Sequence, residues 1–176
     1  MNTNTNVPDV NKVNATDMNE IKTVVNNNYD EFEITKSFCV AGITSAYTTT
    51  TTGDTILPLN NQIAGSGTKL SFDSTNHCIT VNSGVSYVRV SGMIRWTNNL
   101  TANQRFNIAI QRNSDLVATS TLRSSTGTNQ SQSIPSLIIP VSNGDKIYLL
   151  VRSFDSSGNT VGNPEYTTFL QVEAVS

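Results

Sequence analysis

Charge is scarce in this sequence. Asp, Glu, Lys and Arg make up 14% of its 176 residues, against roughly a quarter in ordinary soluble domains. The few Lys and Arg form no cluster along the chain, so no basic stripe is expected to grip a nucleic-acid backbone. No run approaches the roughly 18 apolar residues that a membrane-spanning helix needs. The opening M-N-T-N-T-N-V-P-D-V has neither a basic start nor an apolar stretch. That argues against a secretory leader and for synthesis in a cytoplasm. Histidine occurs once, as His77, and cysteine twice, as Cys39 and Cys78, too small a ligand set for zinc. There is no G-x-S-x-G segment, and the acidic residues show no spacing that marks a catalytic carboxylate pair. G-S-G at 65–67 leads into a strand rather than a helix, so it reads as a turn and not a phosphate cradle. No catalytic, cofactor-binding or metal site is therefore expected, and the chain does not read as an enzyme.

Three smaller readings follow from the same shortages. His77 is expected as an exposed turn residue. Cys39 and Cys78 are expected as buried free thiols, although their spacing leaves a disulfide open. Asp155, in F-D-S-S-G-N, has an oxygen-rich setting that suits calcium, but an ordinary turn has the same composition.

What the chain has instead is uncharged polar surface. Asn, Thr and Ser come in blocks, as in N-N-N at 26–28, T-T-T-T-T at 48–52 and S-S-T-G-T-N-Q-S-Q-S at 124–133. The sequence also changes pattern near residue 34. Residues 1–13, with Pro8, read as an extended arm. Asn14 or Thr16 offers a helix cap, and Asp17 and Glu20 favour the positive helix end. Met18, Ile21, Val25 and Phe32 then recur at helical steps, with Asn28 in the gap as a polar layer of a short coiled-coil seam. Fewer than three heptads do not associate alone, so this helix either packs on its own domain or joins copies of itself about an axis. The division expected is 1–33 for an attachment arm and helix and 34–176 for a head.

Beyond residue 34 the period becomes two. Strands are expected at 34–41, 55–60, 69–73, 77–81, 85–97, 105–111, 116–124, 132–139, 146–154 and 167–175, joined by polar turns such as F-D-S-T-N-H and N-G-D. Ten short strands describe an all-β jelly-roll sandwich. Val88, Val90, Ile94 and Trp96 form one core face, and Phe106, Ile108 and Ile110 another. Leu170 and Val172 do the same in the last strand. The segment 146–154 is apolar on both sides. Ile147, Leu149 and Val151 suit the core, and Tyr148 and Leu150 then need a second cover, most simply a neighbouring subunit. The expected subunit contact is therefore Met18, Ile21, Val25, Phe32, Tyr148 and Leu150.

At this point the order of segments resembles a known family. S-G-V-S-Y-V-R-V-S-G-M-I-R-W, through Gly84, Tyr87 and Ile94, is similar to a segment of the complement-type globular heads and tumour-necrosis-factor-like jelly rolls. R-F-N-I-A-I-Q-R-N-S-D-L-V resembles their next strand and hairpin, with Ser114 where Gly is common. V-S-N-G-D-K-I-Y-L-L-V carries the family's turn at Gly144 and Asp145. T-T-F-L-Q-V-E-A-V-S resembles the last strand through Thr168 and Phe169, with Gln171 where Gly is usual. The resemblance covers roughly residues 35–176 and implies a ten-stranded jelly roll assembling as a homotrimer. Separately, N-x-V-N-A-T-D-M-N-E-I-K-x-V-V-N is similar to attachment regions of tailed-phage structural proteins.

Together these imply a non-enzymatic virion protein: a trimeric capsid (head) fibre or decoration knob. It would dock on a capsid or tail protein through residues 1–33 and sit at the virion surface, facing host-surface glycans. A receptor-binding tip of a tail fibre or baseplate is the alternative. A bacterial secreted complement-head-like binding module is a further one. No cofactor, nucleic-acid partner or membrane insertion is expected.

Overall fold

Residues 15–49, 53–97, 100–127, 129–155, 160–162 and 167–175 are described by the structure, a computed structural model. Within them, helix α1 (Ala15–Lys36) precedes thirteen strands. These are β1 (Phe38–Gly42), β2 (Tyr47–Thr48), β3 (Thr55–Ile56), β4 (Asn61–Ser66), β5 (Leu70–Asp73), β6 (Cys78–Val81) and β7 (Tyr87–Trp96). They continue as β8 (Arg105–Arg112), β9 (Asp115–Arg123), β10 (Gln130–Pro140), β11 (Lys146–Ser153), β12 (Thr160–Val161) and β13 (Phe169–Val175). The first sheet runs β2-β12-β7-β13-β1-β4, with β10 also paired to β7. The second runs β5-β6-β11-β8-β9, with β3 also paired to β11. The strand pairs are antiparallel, and the connections are those of a jelly roll.

Alternation places the core. Val88, Val90, Ile94, Trp96, Leu170 and Val172 point inward from the first sheet. Phe106, Ile108, Ile110, Ile147, Leu149 and Val151 point inward from the second, and all of these are sealed from solvent. Gly92 faces inward too. A Cβ there would stand 3.0 Å from Leu149 Cδ1, so the missing side chain is the space that Leu149 fills across the sandwich. Trp96 and Phe106 close one end, their rings 4.3 Å apart. Buried Gln132 satisfies the polar edge there. It accepts from Trp96 Nε1 at 3.3 Å and donates to Ser120 O at 2.6 Å, tying β10 to β9 of the other sheet without an orphaned amide.

Turn chemistry fixes the hairpins. Asp145 caps the N-G-D turn by accepting from Ser142 N and Asn113 Nδ2. Gly144 takes φ +87° there, a conformation that costs glycine little. In F-D-S-T-N-H, Asp73 Oδ1 accepts from Thr75 N and Asn76 N, and hydrogen bonds from Asn76 hold its carboxyl below the ordinary carboxylate range.

The structure departs from the sequence reading at several places. The helix continues to Lys36, past the boundary expected at 33, so Ile34–Lys36 is helical rather than the start of a strand. No breaker precedes Ser37, and Lys36 Nζ lies 3.7 Å from the centre of the Phe32 ring one turn back. Thr16 is helical, within the described span Ala15–Lys36, rather than at the cap. Asn14 and the arm expected over 1–13 lie outside the described residues. The segment expected as one strand at 55–60 is a two-residue strand plus an irregular stretch, and β4 follows where a G-S-G turn was expected. The short strands β2 and β12 are additions. His77 is a turn residue at φ +59°, but it is half-buried, with Nδ1 2.8 Å from Leu59 O.

The two cysteines are free. Cys39 points into the core, whereas Cys78 lies on the outer side of the second sheet, beside Thr80 and Tyr148. A sheet separates them, so no disulfide can join them. Burial pushes the Cys78 thiol up and the Cys39 thiol up to about 11. At pH 8 roughly one Cys39 in a thousand is then the reactive thiolate. Alkylation of the folded protein at that pH is therefore expected to leave both cysteines unmodified. In denaturant without reductant, mass spectrometry should find two labels. Two labels on the folded protein, or none in denaturant, would contradict this placement.

Candidate functional site

The groups that could perform chemistry are dispersed. Among the described residues no three or more His, Cys, Asp and Glu side chains gather to hold a metal. Asp155 is engaged by Arg105, which donates from its backbone N at 2.6 Å and from Nη2 at 3.0 Å. These bonds hold the Asp155 carboxyl low and the Arg105 guanidinium high, so the carboxylate is not an open cation ligand. No described helix is long and apolar enough to cross a membrane. The candidate site is a surface.

Its first part is α1. Met18, Ile21, Val25 and Phe32 are 51–59% exposed, and Val24 and Tyr29 beside them are 57% and 63% exposed. They form one long stripe that no other described residue covers. The foot of the helix is anchored. Ile34 packs against the core, Asp30 lies 3.4 Å from Lys69 Nζ, and the helix meets β13.

Its second part is not where the sequence put it. Leu150 is only 6% exposed. It sits in register between Ala109 of β8, itself fully buried, and Ile56 of β3. Its own sheet therefore shields it, and little area is left for a subunit to cover. Tyr148 is half-buried and hydrogen-bonded to Cys78; burial and that contact raise its phenol. Neither residue offers a free apolar face. The expectation that this side of 146–154 needs a second subunit rested on its apolar residues alone, and the burial of Leu150 within its own chain removes that need.

The open apolar face belongs to the first sheet. Outward from β7 point Tyr87, Arg89, Ser91, Met93 and Arg95, and register brings other outward residues beside them. Val175 lies opposite Tyr87, Phe169 opposite Met93, and Ile138 opposite Arg89. Phe38 and Val40 extend the face through β1. Tyr87 and Ile138 are 48% and 57% exposed. In the middle, Arg89 Nη1 meets Glu173 Oε2 at 2.8 Å, so the one charged pair on this face is mutually neutralised. Taken alone, β7 is mixed on this side, with Arg89, Ser91 and Arg95 alongside Tyr87 and Met93. The signal lay in the last strand, where Phe169 and Val175 alternate with Leu170, Val172 and Ala174.

No family model and no curated protein matches the sequence. Solved structures do share its fold. Murine APRIL at pH 5.0 superposes with a TM-score of 0.60 at 8% identity, covering 79% of this chain and 98% of that one. Eiger, a TNF from S. frugiperda, gives a TM-score of 0.56 at 9% identity, covering 80% of this chain and 91% of that one. The head is thus a tumour-necrosis-factor-like jelly roll.

Proposed function

We propose that the chain is a non-enzymatic structural and binding protein of a phage particle, a homotrimeric capsid fibre or decoration knob docked through its N-terminal segment. The observation that carries the reading is the apolar stripe of α1, together with the outer apolar residues of the first sheet, left exposed among the described residues. A lone 22-residue helix with such a stripe is marginal in water, and an exposed patch of this kind marks an interaction surface. Copies related by cyclic symmetry cover both at once, with the helices meeting as a stem and the sheet faces meeting below them. Three copies is the number that the resemblance to tumour-necrosis-factor-like heads implies. The phage setting rests on the N-terminal segment and on the uncharged Asn/Thr/Ser surface. The particle surface is the proposed location.

Deleting residues 1–33 tests the attachment part. The cut falls before Ile34, which packs on the core, so the head is expected to stay soluble and folded. It is expected to lose incorporation into particles, and the same segment grafted onto an unrelated trimer should restore some. Normal decoration by the truncated head would place attachment in the jelly roll and overturn this reading.

A further inference from the structure

On the outer face of the second sheet, three arginines that are far apart in sequence come together. Arg105 of β8 lies directly opposite Arg123 of β9, and Phe154 N donates to Arg105 O at 3.0 Å. One row across the sheet is thus Phe154, Arg105, Arg123. The next is Arg152, Asn107, Thr121. The guanidinium carbons of Arg152 and Arg105 stand 4.3 Å and 5.3 Å from the centre of the Phe154 ring. Among the described residues the cluster sets one carboxylate, Asp155, against three guanidinium charges.

As a purely structural device this arrangement is poor. Like charges directly opposite on neighbouring strands repel, and Asp155 is committed to Arg105. Among the described residues Arg152 Nε is buried without a hydrogen-bond partner, an unfavourable state for a cationic donor. In a chain with so few charges, concentrating three arginines here calls for an external anion. We infer that this platform of Arg105, Arg123 and Arg152 around Phe154 binds the oxyanion groups of an acidic glycan. A small displacement of Arg152 brings its donors to a carboxylate or phosphate, whose geometry suits the planar guanidinium fork. Asn107 and Thr121 stand in the next row for sugar hydroxyls.

Position supports the same reading. The platform faces away from the first sheet, whose outer face is the proposed subunit contact, so it stays open in the assembly. The inference rests on the display reading, because repeating the platform around an axis turns weak contacts into avidity.

The test uses the full-length protein and three immobilised polymers: polygalacturonate for carboxylate, poly(glycerol phosphate) for phosphate, and neutral dextran. Binding to one or both acidic polymers is expected, weakening as salt rises, with none to dextran. Arg123→Gln and Arg152→Gln should each weaken it by about tenfold, the usual size of one lost charge-assisted contact. Arg123 is exposed, so its variant keeps the test valid even if Arg152→Gln disturbs the sheet. Which acidic polymer binds identifies the source of the oxyanion. Failure to bind either, or equal binding by Arg123→Gln protein of unchanged oligomeric mass, overturns the inference. Sedimentation of the same samples reports separately on the display reading, since a monomeric wild type would defeat that instead.

Discussion

Leu149→Asp is expected to abolish the folded head. Leu149 is fully buried between Ile110 in its own sheet and the space left by Gly92 in the facing one. Its named neighbours are apolar, so an aspartate must either carry a charge in a dry core or take up a proton and remain unsatisfied. It also gives up the packing that fills the Gly92 gap. Leu149→Ala should cost about 2–5 kcal/mol through lost contacts and a cavity. The aspartate should exceed about 4 kcal/mol, a large share of the 5–15 kcal/mol typical of whole domains. Circular dichroism and thermal melts would read this as loss of the cooperative transition or as insoluble protein. Leu150→Asp is expected to destabilise the head as well, because Leu150 is shielded within its own chain. A cooperatively melting Leu149→Asp protein would show that the core is not arranged as described.

Met93→Glu is expected to do the opposite, dissociating the assembly while sparing the fold. Met93 lies half-buried on the outer face of the first sheet, between Phe169 and Ser133 in register. In an isolated head the new carboxylate keeps contact with water, so the change should cost no more than the roughly 1 kcal/mol spanned by strand preferences. In an assembled head it would be trapped against an apolar face, and a residue at the centre of an interface can be worth 2 kcal/mol or more. Light scattering on wild type should give about three times the 19.0 kDa monomer mass. The variant should fall toward one, with circular dichroism unchanged. A wild-type monomer at micromolar concentration would sink the trimer. An intact Met93→Glu trimer would move the contact off this sheet.

These two expectations differ although both residues sit on central strands of the sandwich. Period-two alternation tells which side chains share a face, and that was legible. Phe106, Ile108 and Ile110 alternate with Asn107, Ala109 and Gln111 in the sequence and lie inward in the structure. The turns were legible too, because Asn143-Gly144-Asp145 carries its own chemistry. So was the helix, since its apolar residues recur at helical steps, although its end was not. Ile34 and Lys36 suit a strand as readily as a helix.

What alternation cannot say is whether a face is covered, and by what. Leu150 and Met93 look equally free in sequence. The first is buried within its own chain and the second is left partly exposed, because strand order is set by pairings between distant segments. The arginine platform belongs to the same class. Arg105, Arg123 and Arg152 are dispersed along the chain, and β8, β9 and β11 become neighbours only when the sheet forms. The sequence by itself determined the all-β head, its N-terminal helix and its inward residues, while the cysteines stayed open to pairing until their placement on opposite sides of a sheet separated them. Only the tertiary structure decided which faces remain open and which charges meet, because both depend on long-range strand order rather than on local period.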